Sequence, residues 1–369
     1  MGIIDRYIIK KYLGTLVFML LLLSIIVVVI DAQAKAPRLE AVLIEGQKTS
    51  MSYFLVHFYP FWIMHLIVTF MSILVFISVI YSTSRMANNT EIVAIISSGA
   101  SFHRFARPNF MASGFIAVVL LVANHFLLPL ANIKKNELEP YTYSQANREK
   151  LLGNAEISTQ LSANEYIFIN SYHREENRGN GFLFQKFDKN KKLIEELIAN
   201  DIAWDEKKKR FVVTGYLERK ATKDNMETIA NGDTKELNFG RSPAELFPNE
   251  LLGQTKTTPE LLDLIKQEEN KGNKNLNVFL NELHQRTSMP VAIVILSILA
   301  LSLSSQKKRG GLGANLAIGI TIAFVFVFSF EALKVVSQNN GLPPALAMWL
   351  PNIIFGVLAA YLYFKRANQ

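Results

Sequence analysis

The chain has no cysteine among its 369 residues, so disulfides and thiolate metal sites are closed to it and its redox compartment goes unmarked. It also lacks a phosphate-binding Gly-Lys-Ser/Thr loop, a His-Glu-x-x-His pair and a Gly-x-Ser-x-Gly elbow, which removes the commonest routes to nucleotide, zinc and acyl chemistry. The turn at 306–313, Gln-Lys-Lys-Arg-Gly-Gly-Leu-Gly, resembles a phosphate loop only superficially. There are six histidines; His65 and His125 could meet, but no other group completes a metal site with them. His65 reads as a satisfied polar group inside a bundle and His125 as a polar group facing a water-filled cavity or a neighbouring helix. Charged residues make up 19% of the chain and the net charge is +8. With no visible catalytic constellation or cofactor site, any work done here draws its energy from a partner.

What is present is apolar sequence in blocks. Uncharged stretches at 12–30, 58–81, 110–130, 287–305, 312–330 and 342–364 can each cross a hydrocarbon core of about 30 Å at 1.5 Å per residue. Three come early and three late. The expectation is an α-helical membrane protein with six transmembrane helices (3+3) and an inserted soluble domain, divided as 1–132, 133–285 and 286–369. The first stretch is too long for a signal-peptide core, and Asp31-Ala32-Gln33-Ala34-Lys35 makes a poor cleavage site, so it is read as a retained span. If the spans alternate, Arg6, Lys10, Lys11, Arg85, Arg104, Arg107, Lys307, Lys308, Arg309, Lys365 and Arg366 share one side. The positive-inside rule makes that side the cytoplasm, although Lys35, Arg38, Lys134, Lys135 and Arg286 lie near the other. Both termini are then cytoplasmic and the inserted domain is outside. Residues 1–11 read as an amphipathic lead-in lying at the cytoplasmic interface.

Between the second and third spans lies Asn88-Asn89-Thr90-Glu91-Ile92-Val93-Ala94-Ile95-Ile96-Ser97-Ser98-Gly99. Asn88, Asn89 or Thr90 can cap a helix, Glu91 suits its positive end, and Gly99 is a ready stop. The spacing predicts a helix of about two to three turns, pinned by Arg85 before it and Arg104 and Arg107 after it. It is either a lever that another protein pushes or a helix resting on the lipid surface. At the outer end of the fifth span, Glu331 and Lys334 stand at i and i+3, as an interfacial ion pair or as a gate or cavity lining.

The middle of the chain turns to short alternating segments. Strands are expected at 165–169, 181–187, 192–198, 210–216 and 236–239, with polar hairpin turns at 188–191 and 205–209, as in an antiparallel sandwich or open jellyroll. The basic run at 207–210 is a solvated hairpin tip or an anion site. A helix over 259–269, capped by Thr257 or Thr258, leads towards the fourth span.

This layout, with Ile4-Asp5-Arg6-Tyr7 before the first span, Asn89-x-Glu91-Ile92-Val93-Ala94 through Ser98-Gly99, and Gly341-Leu342-Pro343-Pro344 with Leu350-Pro351 at the last, resembles the LptF/LptG permease family of Gram-negative lipopolysaccharide export across essentially the whole chain. The resemblance implies a non-catalytic ABC-transporter subunit of the inner membrane with a periplasmic β-jellyroll. Its implied partners are a second LptF/LptG-type permease, a dimeric cytoplasmic ATPase of the LptB type that uses the ATP, and periplasmic bridge proteins of the LptC/LptA type. Nucleic acid is not among them. It further implies that the helix at 88–99 docks on the ATPase through Glu91, Ile92 and Ile95 with Arg85 beside them. The first and fifth spans would form lateral gates, and Lys35, with Arg38 nearby, would meet the phosphates of lipopolysaccharide. Ala34-Lys35-Ala36-Pro37 stands where some members carry adjacent lysines, and the Asp-Arg-Tyr start with Glu331 leans towards the LptG branch. Two other readings are a membrane-anchored periplasmic scaffold without transport and a lipoprotein-release subunit, whose four spans do not fit a three-plus-three layout.

Overall fold

The computed structural model describes residues 2–368 except 40–42, 45–46, 49, 143–154, 163, 174–175, 189–190, 222–226, 241–242, 248–249, 271–275, 307–310 and 340. The basic turn at 307–310, the middle of the turn at 188–191 and the side chain of Arg38 lie outside the described residues.

The first helix, α1 (Ile3–Leu39), is 37 residues long, about 55 Å at 1.5 Å per residue against a hydrocarbon core of about 30 Å. Residues 3–11 are the unbroken N-terminal turns of this same helix, and among the described residues no separate amphipathic helix precedes it. The reason is packing: Ile8 and Tyr12 are buried on the same face of the helix, so the stripe that enters the bundle begins before the uncharged run. A two-residue ladder of β1 (Leu43–Ile44) and β2 (Gln47–Lys48) and a short helix α2 (Met51–His57) lead into α3 (Tyr59–Asn88). After α4 (Glu91–Ser97) the third span is α5 (Phe102–Val122), a π-helical turn at Ala123–Leu127 and α6 (Leu128–Leu138). Pro129 supplies no N–H to the preceding turn, and the widened turn absorbs the mismatch.

Six strands follow: β3 (Ala155–Ser162), β4 (Glu165–His173), β5 (Arg178–Phe187), β6 (Leu193–Asp205), β7 (Arg210–Ala221) and β8 (Glu227–Leu237). Among the described residues they form one antiparallel meander in sequence order, with β3 and β8 at its edges, which fits an inserted jellyroll-like domain. Its inner residues gather into one core with Leu246 and Phe247 of and beside α7 (Pro243–Leu246).

A line of residues crosses this sheet. The register places Asn170 opposite Gly181, Gly181 opposite Asn200 and Asn200 opposite Gly215, and regular pairing skips each of them. Gly181 and Gly215 adopt φ of 70° and 60°. Along the four central strands, β4 to β7, the buried positions change parity at this line: Ile167 and Ile169 before it but Tyr172 after, Leu197 and Ala199 but then Ile202. Each of these strands thus carries one extra residue at the same height, and the matched kinks let the meander curl around one core. A Cβ at Gly181 would stand 2.5 Å from Asn170 Nδ2, and one at Gly215 2.4 Å from Asn200 Nδ2. Gly181→Ala and Gly215→Ala are each expected to destabilise the domain by about 1–3 kcal/mol, read as a lower unfolding midpoint of the full chain in detergent.

The return to the membrane runs through α8 (Glu250–Thr255) and α9 (Thr258–Asn270). Thr257, one of the two expected caps, takes the N-cap position of α9 with Leu261 N–H on its carbonyl, and Glu260 accepts from both its N–H and its hydroxyl at 2.8 Å, the carboxylate half of a capping box. The last three spans are α10 (Asn277–Ser304), α11 (Gly311–Gln338) and α12 (Pro344–Ala367). Pro351 does not interrupt α12, whose Asn352 donates to Ser288 O of α10 at 2.7 Å. All six long apolar helices can cross a membrane, but they are unequally enclosed: 61% of the α10 window is buried in the protomer, against 22% for α11 and 6% for α1. Small buried residues on α10 such as Ala292, Ser297 and Ala300 permit its close packing.

Candidate functional site: a clamped lever and a capped groove

Helix α3 ends where Asn89 N bonds Arg85 O and Thr90 N bonds Ala87 O. Thr90 then takes φ 61° and turns the chain into α4. Thr90 occupies the N-cap position, but its hydroxyl donates to Asn89 O at 2.6 Å instead of capping the helix. Gly99, at φ 89°, stops it. Within this seven-residue helix Ile92 is 1% exposed and built into the bundle core, and Ile95 packs against that core. The open apolar surface is Val93, 58% exposed, and Ile96, 36% exposed. Ile92 and Ile95 are thus anchors, and outward contact falls to Val93 and Ile96. Arg85 is exposed on the last turn of α3.

The Glu91 carboxylate does not project freely. Lys11 Nζ of α1 donates to both of its oxygens at 2.8 Å, Tyr7 OH donates at 2.9 Å and Asn89 Nδ2 at 3.2 Å. Partial burial would raise its pKa, but these donors together hold the carboxyl below its ordinary value, so it is ionised. A second pair of opposite sense lies alongside: Arg104 of α5 donates to both oxygens of Asp5, at 2.5 and 3.0 Å. The start of α5 also touches α12, where His103 and Tyr363 share a hydrogen bond of 2.7 Å and Arg366 lies over the Phe102 ring. The sequence reading places Asp5 and Tyr7 in a lead-in motif and Lys11 among the flanking positive charges. The signal available was a shared charge order, Asp5 then Lys11 and Glu91 then Arg104, which lets an antiparallel match set each charge against its opposite.

At the far end of α1, Lys35 pairs with Asp31 at 2.9 Å, with its ammonium 5.6 Å from the Trp62 ring centroid and 6.0 Å from Phe58. Asp31 also accepts from Tyr59 OH. Directly below Trp62, between α1 and α3, is a groove of about 400 Å³ walled by Leu23, Val27, Val28, Ile63, Leu66 and Phe70. Trp62 is therefore the roof of a cavity as well as an interfacial aromatic.

Other expected residues are dispersed. Glu331 is exposed on α11, Lys334 is half-buried, and no ion pair joins them. His65 and His125 do not meet: His65 Nδ1 donates to Asn132 Oδ1 at 2.9 Å, and His125 shares a hydrogen bond with Thr258 Oγ1 at 2.7 Å. The junction between them is organised by Arg286, which is buried, pairs with Glu282 and donates to Gly253 O, Lys256 O and Thr258 Oγ1. Sequence reading had treated Arg286 only as a flanking charge.

A search of curated proteins returns no match for this chain. The sequence model of the lipopolysaccharide export system permease LptF/LptG matches residues 6–365, a span that takes in the Lys11–Glu91 pair, α4, the groove, the inserted sheet and nearly all of the six long apolar helices. The chain belongs to the LptF/LptG permease family.

Proposed function

We propose that this protein is the permease subunit that extracts lipopolysaccharide from the inner membrane and passes it to a periplasmic bridge, driven by a cytoplasmic ATPase that docks on α4. The family is the permease of the lipopolysaccharide export system, a non-catalytic membrane subunit of an ABC transporter. The observation that carries the reading is the apolar groove between α1 and α3, with the Lys35 ammonium over the ring of its lining residue Trp62. Moving acyl chains out of lipid costs about 0.8 kcal/mol per CH₂, so a cargo with several chains needs an apolar place to go and a cation for its phosphates. Lys35 is held by Asp31, and a lipid phosphate would compete with that carboxylate for the ammonium.

The gates fall to α1 and α11, the two least enclosed spans, whose outward faces carry Phe18, Leu22, Ile25, Phe324 and Phe328. A second permease covers them. Glu331, exposed on α11, then faces a partner or a wet cavity, because an exposed carboxylate at this depth is costly against lipid. Beyond the membrane, a bridge protein extends the sheet by strand addition at β3 or β8.

Photo-crosslinking from Leu66 in the groove tests this reading. Lipopolysaccharide is expected to be captured by the wild-type chain and several-fold less by Lys35→Glu, while Lys365→Glu at the opposite end changes nothing. Equal capture in Lys35→Glu and wild type contradicts it.

A further inference from the structure

We propose that Lys11 and Tyr7 on Glu91, together with Asp5 on Arg104, yoke the first span to α4, so that movement of α4 is delivered to α1 in preference to the rest of the bundle. This rests on the reading of α4 as the part an ATPase pushes. Three observations carry it. The two ion pairs join one end of α1 to the first residue of α4 and to the first turn of α5, so they bracket the lever on both sides. They have opposite polarity: α1 offers an anion at position 5 and a cation at position 11. The six residue steps from position 5 to position 11 span about 9 Å. Sliding α1 by that distance sets like charges against each other, so the arrangement fixes the register between α1 and the lever as well as their proximity. One residue further on, Tyr12 is buried, shares a hydrogen bond with Ser113 of α5 and accepts from Ser78 of α3 through its carbonyl. Above this grip the window of α1 is only 6% buried. The span is held at the lever and again at its far end, where Asp31 accepts from Tyr59 and Leu39 is buried, and is loosely packed in between, so it can carry movement from one end to the other.

Tyr7, Lys11 and Asp5 are positioning residues on this view, and they carry load through Glu91 and Arg104. Because the chain has no cysteine, spin labels can be introduced cleanly on the full chain assembled with its ATPase. One label pair, Gln33→Cys with Asn339→Cys, reports the outer end of α1 against α11. A second, Arg6→Cys with Ser98→Cys, reports the clamp itself. In the wild-type background, trapping with ATP and vanadate is expected to shift the 33–339 distance. In Asp5→Arg with Lys11→Glu the shift is expected to disappear and the 6–98 distance to broaden, while ATP hydrolysis stays within about twofold. Adding Arg104→Asp and Glu91→Lys rebuilds both pairs with reversed polarity and is expected to restore the shift, which separates broken coupling from a misfolded chain. A shift that persists in Asp5→Arg with Lys11→Glu overturns the proposal, as does a 6–98 distance that stays narrow there. A wild-type 33–339 distance that ignores nucleotide overturns it too, whereas failure of lipopolysaccharide to crosslink in the groove overturns the transport reading alone.

Discussion

Aspartate at both Val93 and Ile96 is expected to weaken capture of the ATPase about a hundredfold while leaving the permease folded. Full burial of a Val or Ile side chain contributes roughly 1.5–3 kcal/mol, and each tenfold in affinity is about 1.4 kcal/mol. Two partly exposed side chains that complete their burial in a docking groove account for a factor of that size, and burying a new carboxylate there adds to the loss. Both positions face away from the bundle, so the unfolding midpoint is expected to stay near that of wild type. Ile92→Ala inverts the pattern: that side chain sits in the core, and truncation is expected to cost about 2–5 kcal/mol of stability with a smaller direct effect on docking. The two outcomes are separated by measuring ATPase binding to the purified permease in detergent alongside its unfolding. Weak binding in Ile92→Ala with tight binding in the Val93 and Ile96 variant contradicts the assignment of faces.

Arg286→Met is expected to be the most destabilising single change outside the bundle core. Removing the guanidinium leaves Glu282 without its cation, takes the Arg286 donor from the Lys256 carbonyl and leaves the Gly253 carbonyl with the long 3.4 Å bond from Lys256 N–H. Breaking a buried pair by deleting one partner costs roughly 3–5 kcal/mol. The carbonyls belong to the C-terminal end of α8 and the residue just beyond it, so the loss loosens the segment that joins the sheet domain to α10. Arg286→Lys is expected to recover only part of the stability, because an ammonium cannot spread donors over four acceptors as the planar fork does. Glu282→Gln combined with Arg286→Met is expected to be milder than Arg286→Met alone, since no buried carboxylate is then left unpaired. Denaturant unfolding of the full chain reads all three.

The spans were legible because each is an unbroken apolar run, and a helix is the form of backbone that satisfies its own hydrogen bonds in lipid. The sheet was only half legible, and the line of Asn and Gly residues explains where reading failed. The alternation expected at 165–169 stops at Asn170, that at 192–198 stops just before Asn200, and that at 181–187 begins on Gly181. Each true strand continues through the kink with its inward positions shifted by one, so a period-two pattern ends there although the strand does not. The edge strands gave a weaker signal still: β8 is exposed along almost its whole length, so nothing forces its sequence to alternate, and β3 was missed entirely. In α4 four branched apolar residues within five positions share one broad side of the helix, and only the packing shows that Ile92 points in and Val93 points out. The pairing of Glu91 with Lys11 joins residues 80 apart in sequence, and a single sequence offers no register for such a contact. Lys35 was found from its place at the end of a span, but its engagement with Asp31 and Trp62 depends on how α1 meets α3.

The central claim is that this chain hydrolyses nothing and transmits a partner's nucleotide-driven force to lipopolysaccharide. It is tested most directly by reconstituting the permease pair with its ATPase in vesicles that contain lipopolysaccharide and an acceptor bridge protein outside. The account predicts transfer to the acceptor only with ATP and with an intact α4, and loss of transfer when Val93 and Ile96 are aspartate. Transfer that proceeds without ATP, or steady hydrolysis with an intact lever and no lipid delivered, would contradict it.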